Sequence, residues 1–168
     1  MSFLQRTAGQ MPDESNGIQG HLRLDETDKK IIRILQSDGR MQFSKLGPLV
    51  GLSPAAARQR VLQLVDDGAI SIVAITDPTA TGQHAQAMVG IKVQGDIDTV
   101  VAAVEAHSEV VYVVVTAGRF DVLAEIFCED TDRLLAILQG IRVQPGVLNA
   151  EVFSYLRLAK QTYNWGVA

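Results

Sequence analysis

The chain is poor in the groups from which covalent staples and reactive centres are made. It has a single cysteine, Cys128, in 168 residues, so no internal disulfide can form and the fold must stand on its core alone. Cys128 itself ends an apolar run and reads as a small core residue rather than a redox sensor. His84 and His107 stand alone, and no Cys/His cluster has metal-ligand spacing. Neither a nucleophile–base pair nor a phosphate-binding loop is present, so no enzyme chemistry is expected. No apolar run approaches the ~18 residues that span a bilayer, and no membrane partner is expected. Residues 1–20 lack a positive segment followed by an apolar one; they are not expected to be a signal peptide, and the cytoplasm is the expected compartment. Their Gly, Gln, Ser, Pro and Asn content suggests a disordered arm.

Positive charge is in the minority as well, with 15 Lys and Arg against 19 Asp and Glu. The deficit is uneven. Residues 83–168 hold six basic and ten acidic residues, whereas 21–82 hold eight and seven. Between Lys29 and Arg60 the cations Lys29, Lys30, Arg33, Arg40, Lys45, Arg58 and Arg60 face only Asp38. A basic patch on an acidic chain marks one face for a polyanion and discourages contact elsewhere. A solvated helix face is the plainer explanation of such a run.

What is present is globular: 47% hydrophobic and 20% charged residues, in a length that allows one ordinary domain or two small ones. Asp25 is a good N-cap with acidic residues in the turn after it, Ile31, Ile32 and Leu35 follow at helical spacing, and Gly39 stops the helix. Phe43, Leu46 and Val50 fit a second, short helix in which Pro48 is awkward. Gly51 ends it. Ser53 then caps a third helix, with Pro54 at its first position, where a missing N–H costs nothing. That helix is expected to run to about Asp66, with Ala57, Val61, Leu64 and Val65 inside. Ala55, Ala56, Gln59 and Gln63 face outward, flanked by Arg58 and Arg60. Small or amide side chains toward bases with cations beside them suit a duplex groove, and three short helices with this turn describe a helix-turn-helix.

After Gly68 the alternating, β-branched residues 69–75 read as a strand, and 77–82 as a break. The second half alternates. Strands are expected at 88–93, 110–116, 121–128 and 147–156, and helices at 97–107 and 131–143. Val100, Val101 and Val104 should point inward from the first helix, and Leu134, Leu135 and Leu138 from the second. The order βαββαβ is ferredoxin-like. Its strands are apolar almost throughout, so both sheet faces look buried, and self-association is the economical way to achieve that. The fold class is therefore α+β: an N-terminal winged-type helix-turn-helix domain joined to a C-terminal ferredoxin-like βαββαβ domain. The expected divisions are an arm (1–21), the DNA-binding domain (22–68), a linker strand and hinge (69–84), the C-terminal domain (85–158) and a tail (159–168).

Leu24-Asp25-x-x-Asp28, Asp38-Gly39-Arg40, Gly51-Leu52-Ser53-Pro54, Arg60-Val61-x-x-Leu64, Gly118-x-Phe120-Asp121 and Gln144-Pro145-Gly146-Val147 occur in that order. Together they resemble the Lrp/AsnC (leucine-responsive, feast/famine) regulators over about residues 22–158. The resemblance implies a double-stranded-DNA-binding transcription regulator without a cofactor, modulated by an amino acid. It also implies a homodimer whose linker strand pairs between subunits, with dimers assembling into octamers. The effector would sit near the turn carrying Thr116, Gly118, Arg119 and Asp121. Asp121 could hold its α-ammonium and Arg119 its carboxylate; a hairpin turn with a capping Asp, and an interface role for Arg119, are the ordinary alternatives. Arg58 and Arg60 are expected at DNA, or else paired with Asp66, Asp67 or first-helix carboxylates. Ser53 is a cap before it is a base reader. Arg40 and Lys45 are candidate phosphate contacts. Gln42, Gly47-Pro48 and the three alanines 55 to 57 depart from the family pattern. Base readout then rests on Gln59 and on DNA shape, which keeps an effector-independent, architectural DNA-wrapping protein open as the alternative. Tyr163 and Trp165 in the tail suggest interface packing.

Overall fold

The computed structural model describes residues 23–162; the N-terminal arm, Tyr163 and Trp165 lie outside them. The described chain divides into two compact units, one holding the three N-terminal helices and the other spanning Ile75–Ala159.

In the first unit α1 is Glu26–Ser37, α2 Phe43–Leu49 and α3 Pro54–Asp66. Their ends follow from local chemistry. Asp25 caps α1 by accepting from the Asp28 N–H, and Ser53 caps α3 by accepting from the Ala56 N–H. Pro48 is accommodated in the last turn of α2, which is seven residues long and is closed as a Schellman motif by Leu52 N–H to Gly47 O and Gly51 N–H to Pro48 O. Gly51 supplies the left-handed φ of 73° that this closure requires. Gly47 is needed for another reason. A Cβ there would lie 2.8 Å from Leu52 O and 3.0 Å from Pro54 N, so only glycine lets α2 approach the start of α3 this closely. Ile31, Ile32, Leu46, Ala57, Val61 and Leu64 form the core of the unit; Val65 is only partly buried.

The stretch 69–75 forms no strand. Ala69 and Ile70 pack onto the helical core, but Ile72, Val73 and Ile75 are more than half exposed. Alternating β-branched residues favour extended backbone, yet a strand exists only against a neighbour, and among the described residues none lies alongside.

The second unit is an antiparallel sheet in the order β2-β3-β1-β4, built from β1 (Ala85–Val93), β2 (Val110–Val115), β3 (Val122–Cys128) and β4 (Val147–Ser154). Helices α4 (Ile97–Glu105) and α5 (Thr131–Arg142) complete the βαββαβ order. Ala87, Val89 and Ile91 of β1 alternate into the core with Val122, Ala124 and Ile126 of β3. Cys128 joins them, buried beside the carbonyls of Ala85 and Asp130. Val100 and Val104 of α4 are buried, with Val101 at the core margin. On α5 the inward row is Leu134, Ile137, Leu138 and Ile141, whereas Leu135 is 49% exposed. It stands ~100° round the helix from Leu134 and leaves that row.

Both helices serve the same side of the sheet. Within one chain the opposite face therefore stays open, with Tyr112 (52%) and Phe153 (48%) half exposed on it. Two helices can cover only one face of four strands.

Candidate nucleic-acid interface and effector turn

The outward side of α3 presents Ala55, Arg58 and Gln59, all exposed, with Ala56 partly buried beside them. Among the described residues nothing pairs with Arg58 or with the side chains of Gln59, Lys45 and Arg40. These groups are therefore available at the surface of the three-helix unit. Gln63 is turned along its own helix, its amide donating to Asp67 Oδ1 at 2.9 Å. Ser53 spends its hydroxyl oxygen on the cap, 3.2 Å from Ala56 N.

Arg60 goes elsewhere. Its Nη1 donates to Asp25 Oδ2 at 2.5 Å and to Asp28 Oδ1 at 2.7 Å, both at the start of α1. Of the alternatives legible in the sequence, the structure shows the pairing with first-helix carboxylates. The Asp28 N–H and then Arg60 hold the Asp25 carboxyl below the usual carboxylate range, and Asp28 and Asp25 in turn raise the Arg60 guanidinium.

In the second unit the turn between β2 and β3 folds over the open sheet face. Thr116 anchors it, its hydroxyl donating to Phe120 O at 2.7 Å and its N–H to Asp121 O at 2.8 Å. The Phe120 ring lies against Gly90, where a Cβ would come within 2.6 Å of the ring. It meets Phe153 edge-on with ring centres 5.9 Å apart. Asp121 accepts from Lys92 Nζ and from the Val93 N–H, each at 2.8 Å. Lys92 first, and that backbone N–H second, lower the Asp121 pKa. Arg119 reaches across to Glu151, its Nη2 2.7 and 3.0 Å from the two carboxylate oxygens, and its guanidinium carbon sits 5.3 Å from the Phe120 ring centre. Nothing lies within 4 Å of a Cβ placed on Gly118. All four residues expected at an effector site thus share one turn, and each of the two charged ones already has a partner within the unit.

Residues 24–65 match the AsnC-type helix-turn-helix domain and residues 83–168 a C-terminal dimeric alpha+beta barrel domain of AsnC regulators. The HTH-type transcriptional regulator FL11 of Pyrococcus horikoshii is 33% identical over 141 residues, covering 83% of this chain and 93% of its own. This chain belongs to the Lrp/AsnC family of transcriptional regulators. Two solved structures of the family were determined with an amino acid. Transcriptional regulator NMB0573 of Neisseria meningitidis, in complex with L-methionine, is 28% identical with a TM-score of 0.78, covering 86% of this chain and 97% of that one. The feast or famine regulatory protein of M. tuberculosis, complexed with L-methionine, is 26% identical with a TM-score of 0.79, covering 87% and 100%.

For an Lrp/AsnC chain, the residues that sequence reasoning missed are the partners, not the turn itself. Lys92 and Glu151 lie on β1 and β4, brought to the turn by the strand register. Gly90 of β1 pairs with Leu123 on one side and Glu151 on the other. Glu125, also on the open face, accepts from the Tyr155 hydroxyl at 2.7 Å. Burial, and then the neighbouring carboxylate, push that phenol upward. Among the described residues no group of His, Cys, Asp or Glu could hold a metal ion, and no helix is long and apolar enough to cross a membrane.

Proposed function

We propose that this regulator senses an amino acid at the turn around Thr116, Gly118, Arg119 and Asp121, and that the bound effector alters how its copies assemble on double-stranded DNA. The observation that carries the reading is the pairing of opposite charges across that turn. Arg119 is satisfied by a carboxylate and Asp121 by an ammonium, the two groups that an amino acid also offers. The L-methionine held by two relatives supports the same effector class. The acting form is a homodimer, assembled further into a tetramer of dimers, in the cytoplasm. On the DNA side Arg58, Gln59, Ala55 and Ala56 of α3 face the duplex, with Lys45 and Arg40 toward its phosphates; Ser53 and Gln63 support the helix. An effector can shift DNA affinity only by its differential affinity for the two assembly states.

The test is fluorescence anisotropy on DNA from upstream of the protein's own gene, with a panel of amino acids beginning with methionine. One amino acid is expected to change the DNA affinity several-fold, and Asp121→Ala to abolish that response while binding persists. Binding indifferent to every amino acid would instead favour the architectural reading, to which the alanines at 55 to 57 already lend some weight.

A further inference from the structure

We propose that Arg60 is a positioning residue of the recognition helix rather than a phosphate contact: it closes a doubly acidic capping box on α1 and thereby sets where α3 presents Arg58 and Gln59. The first observation is the disposition of four oxygens. Asp25 Oδ1 accepts from the Asp28 N–H at 2.8 Å, and Asp28 Oδ2 accepts from the Asp25 N–H at 3.0 Å. The two remaining oxygens both accept from the same nitrogen of Arg60. Each carboxylate therefore spends one oxygen on the helix end and one on α3. A capping box ordinarily pairs a hydroxyl with a single acid or amide. Here both members are aspartates, so two negative charges sit one helical turn apart. The helix dipole offsets only part of that repulsion. A cation between them is what makes this box tolerable.

Arg60 bridges both aspartates, and the cation nearest to them along α1 is engaged elsewhere. Lys29 is occupied by Glu26 at 2.7 Å. Arg23 lines the same recess as Asp28 and Arg60 but bonds neither aspartate. The second observation is helical geometry. Arg58 and Arg60 are two residues apart, hence ~200° apart around α3, and leave it on opposite sides. Arg58 is exposed without a partner, whereas Arg60 is partly buried against α1. Were Arg60 to leave for a phosphate, it would abandon two carboxylates beside a polyanion.

The inference rests on α3 being the DNA-facing helix, and the experiment separates the two. Thermal melting and salt-dependent anisotropy on a labelled mixed-sequence duplex are compared for the full chain, Arg58→Gln, Arg60→Gln, and the triple variant Asp25→Ser, Asp28→Gln, Arg60→Gln. The triple variant installs a neutral capping box that requires no cation. Arg58→Gln should reduce the slope of log K against log salt by about 0.9 for each copy engaged on the duplex, the share of one phosphate contact per copy, without altering melting. Arg60→Gln should melt lower and bind several-fold more weakly with the wild-type slope. The triple variant should recover both melting and affinity. A slope lowered by about 0.9 per engaged copy in Arg60→Gln, or in the triple variant, would assign Arg60 to a phosphate and overturn the proposal. So would a triple variant that melts no higher than Arg60→Gln. If Arg60→Gln does not fold, the slope and affinity of the triple variant decide. If the wild-type chain binds no duplex, the DNA-facing reading of α3 falls, and recovery of melting in the triple variant still decides whether Arg60 serves the box.

Discussion

At the scale of single residues, several charged groups of this chain work in pairs within one unit. Asp121 is the clearest case. Its carboxylate receives Lys92 and the Val93 N–H and is held below the ordinary carboxylate range. Asp25, with the Asp28 N–H and Arg60, and Glu109, with Arg133, are lowered for the same kind of reason. A carboxylate whose pKa is depressed by folding adds stability that is present above its unfolded value of about 4 and is lost as pH falls through the folded one. The urea midpoint is therefore expected to stay flat from neutral pH to about pH 5 and to fall progressively below pH 4. Asp121→Asn should begin lower and lose less on acidification, because one of the groups that must be protonated is gone. Equal acid sensitivity in the two proteins would show that the Lys92–Asp121 pair is screened by solvent to no net effect.

At the scale of elements, the helix-turn-helix depends on how near α2 can come to the start of α3, and Gly47 sets that distance. Replacing Gly47 with alanine puts a methyl group 2.8 Å from Leu52 O, against backbone rather than a yielding side chain. Overpacking of this kind costs about 1–3 kcal/mol. The first unit of Gly47→Ala should unfold at lower urea, and its DNA affinity should fall because the turn before α3 opens. The same residues show how much was legible beforehand. Caps and inward rows are local, so Asp25, Ser53, Pro54 and the Ala57-Val61-Leu64 stripe could be read from spacing. The departure at Gly47-Pro48 was visible too, but not its reason, which lies in backbone atoms of the following turn. Arg60 could be read only as a choice between partners, because Asp25 and Asp28 are 35 and 32 residues away and meet it through the packing of α3 on α1. Likewise the 116–121 turn announced itself through Gly118 and Asp121. Lys92 and Glu151 did not, since a strand's pattern names its faces but not its register. For residues 69–75 the alternating pattern reads as a strand, but the structure forms none there, because a strand's pattern does not supply the partner it must pair with.

At the scale of the whole molecule, the open sheet face and the exposed apolar residues of the linker pose one question: what covers them. Tyr112 and Phe153 are half exposed on that face, and Ile72, Val73 and Ile75 are more than half exposed outside it. Large contiguous apolar patches are uncommon on monomeric proteins, and a stable association needs roughly 800 Å² from each partner. A second copy satisfies both demands with the same surface used twice. Tyr112→Lys is the informative change. Tyr112 lies opposite Glu125 across β2 and β3, so a lysine gains a cross-strand partner of opposite sign and the single chain is not weakened. In an association through that face the same ammonium would have to be desolvated, at a cost of several kcal/mol. The wild-type protein is expected to sediment as a dimer or larger assembly, and Tyr112→Lys to shift toward the single-chain mass of 18.2 kDa with its circular dichroism unchanged. Its DNA binding should weaken in parallel, since two linked helix-turn-helix units engage a site far more tightly than one. An unshifted mass would move the interface off the sheet face and leave the linker residues as its remaining apolar candidate.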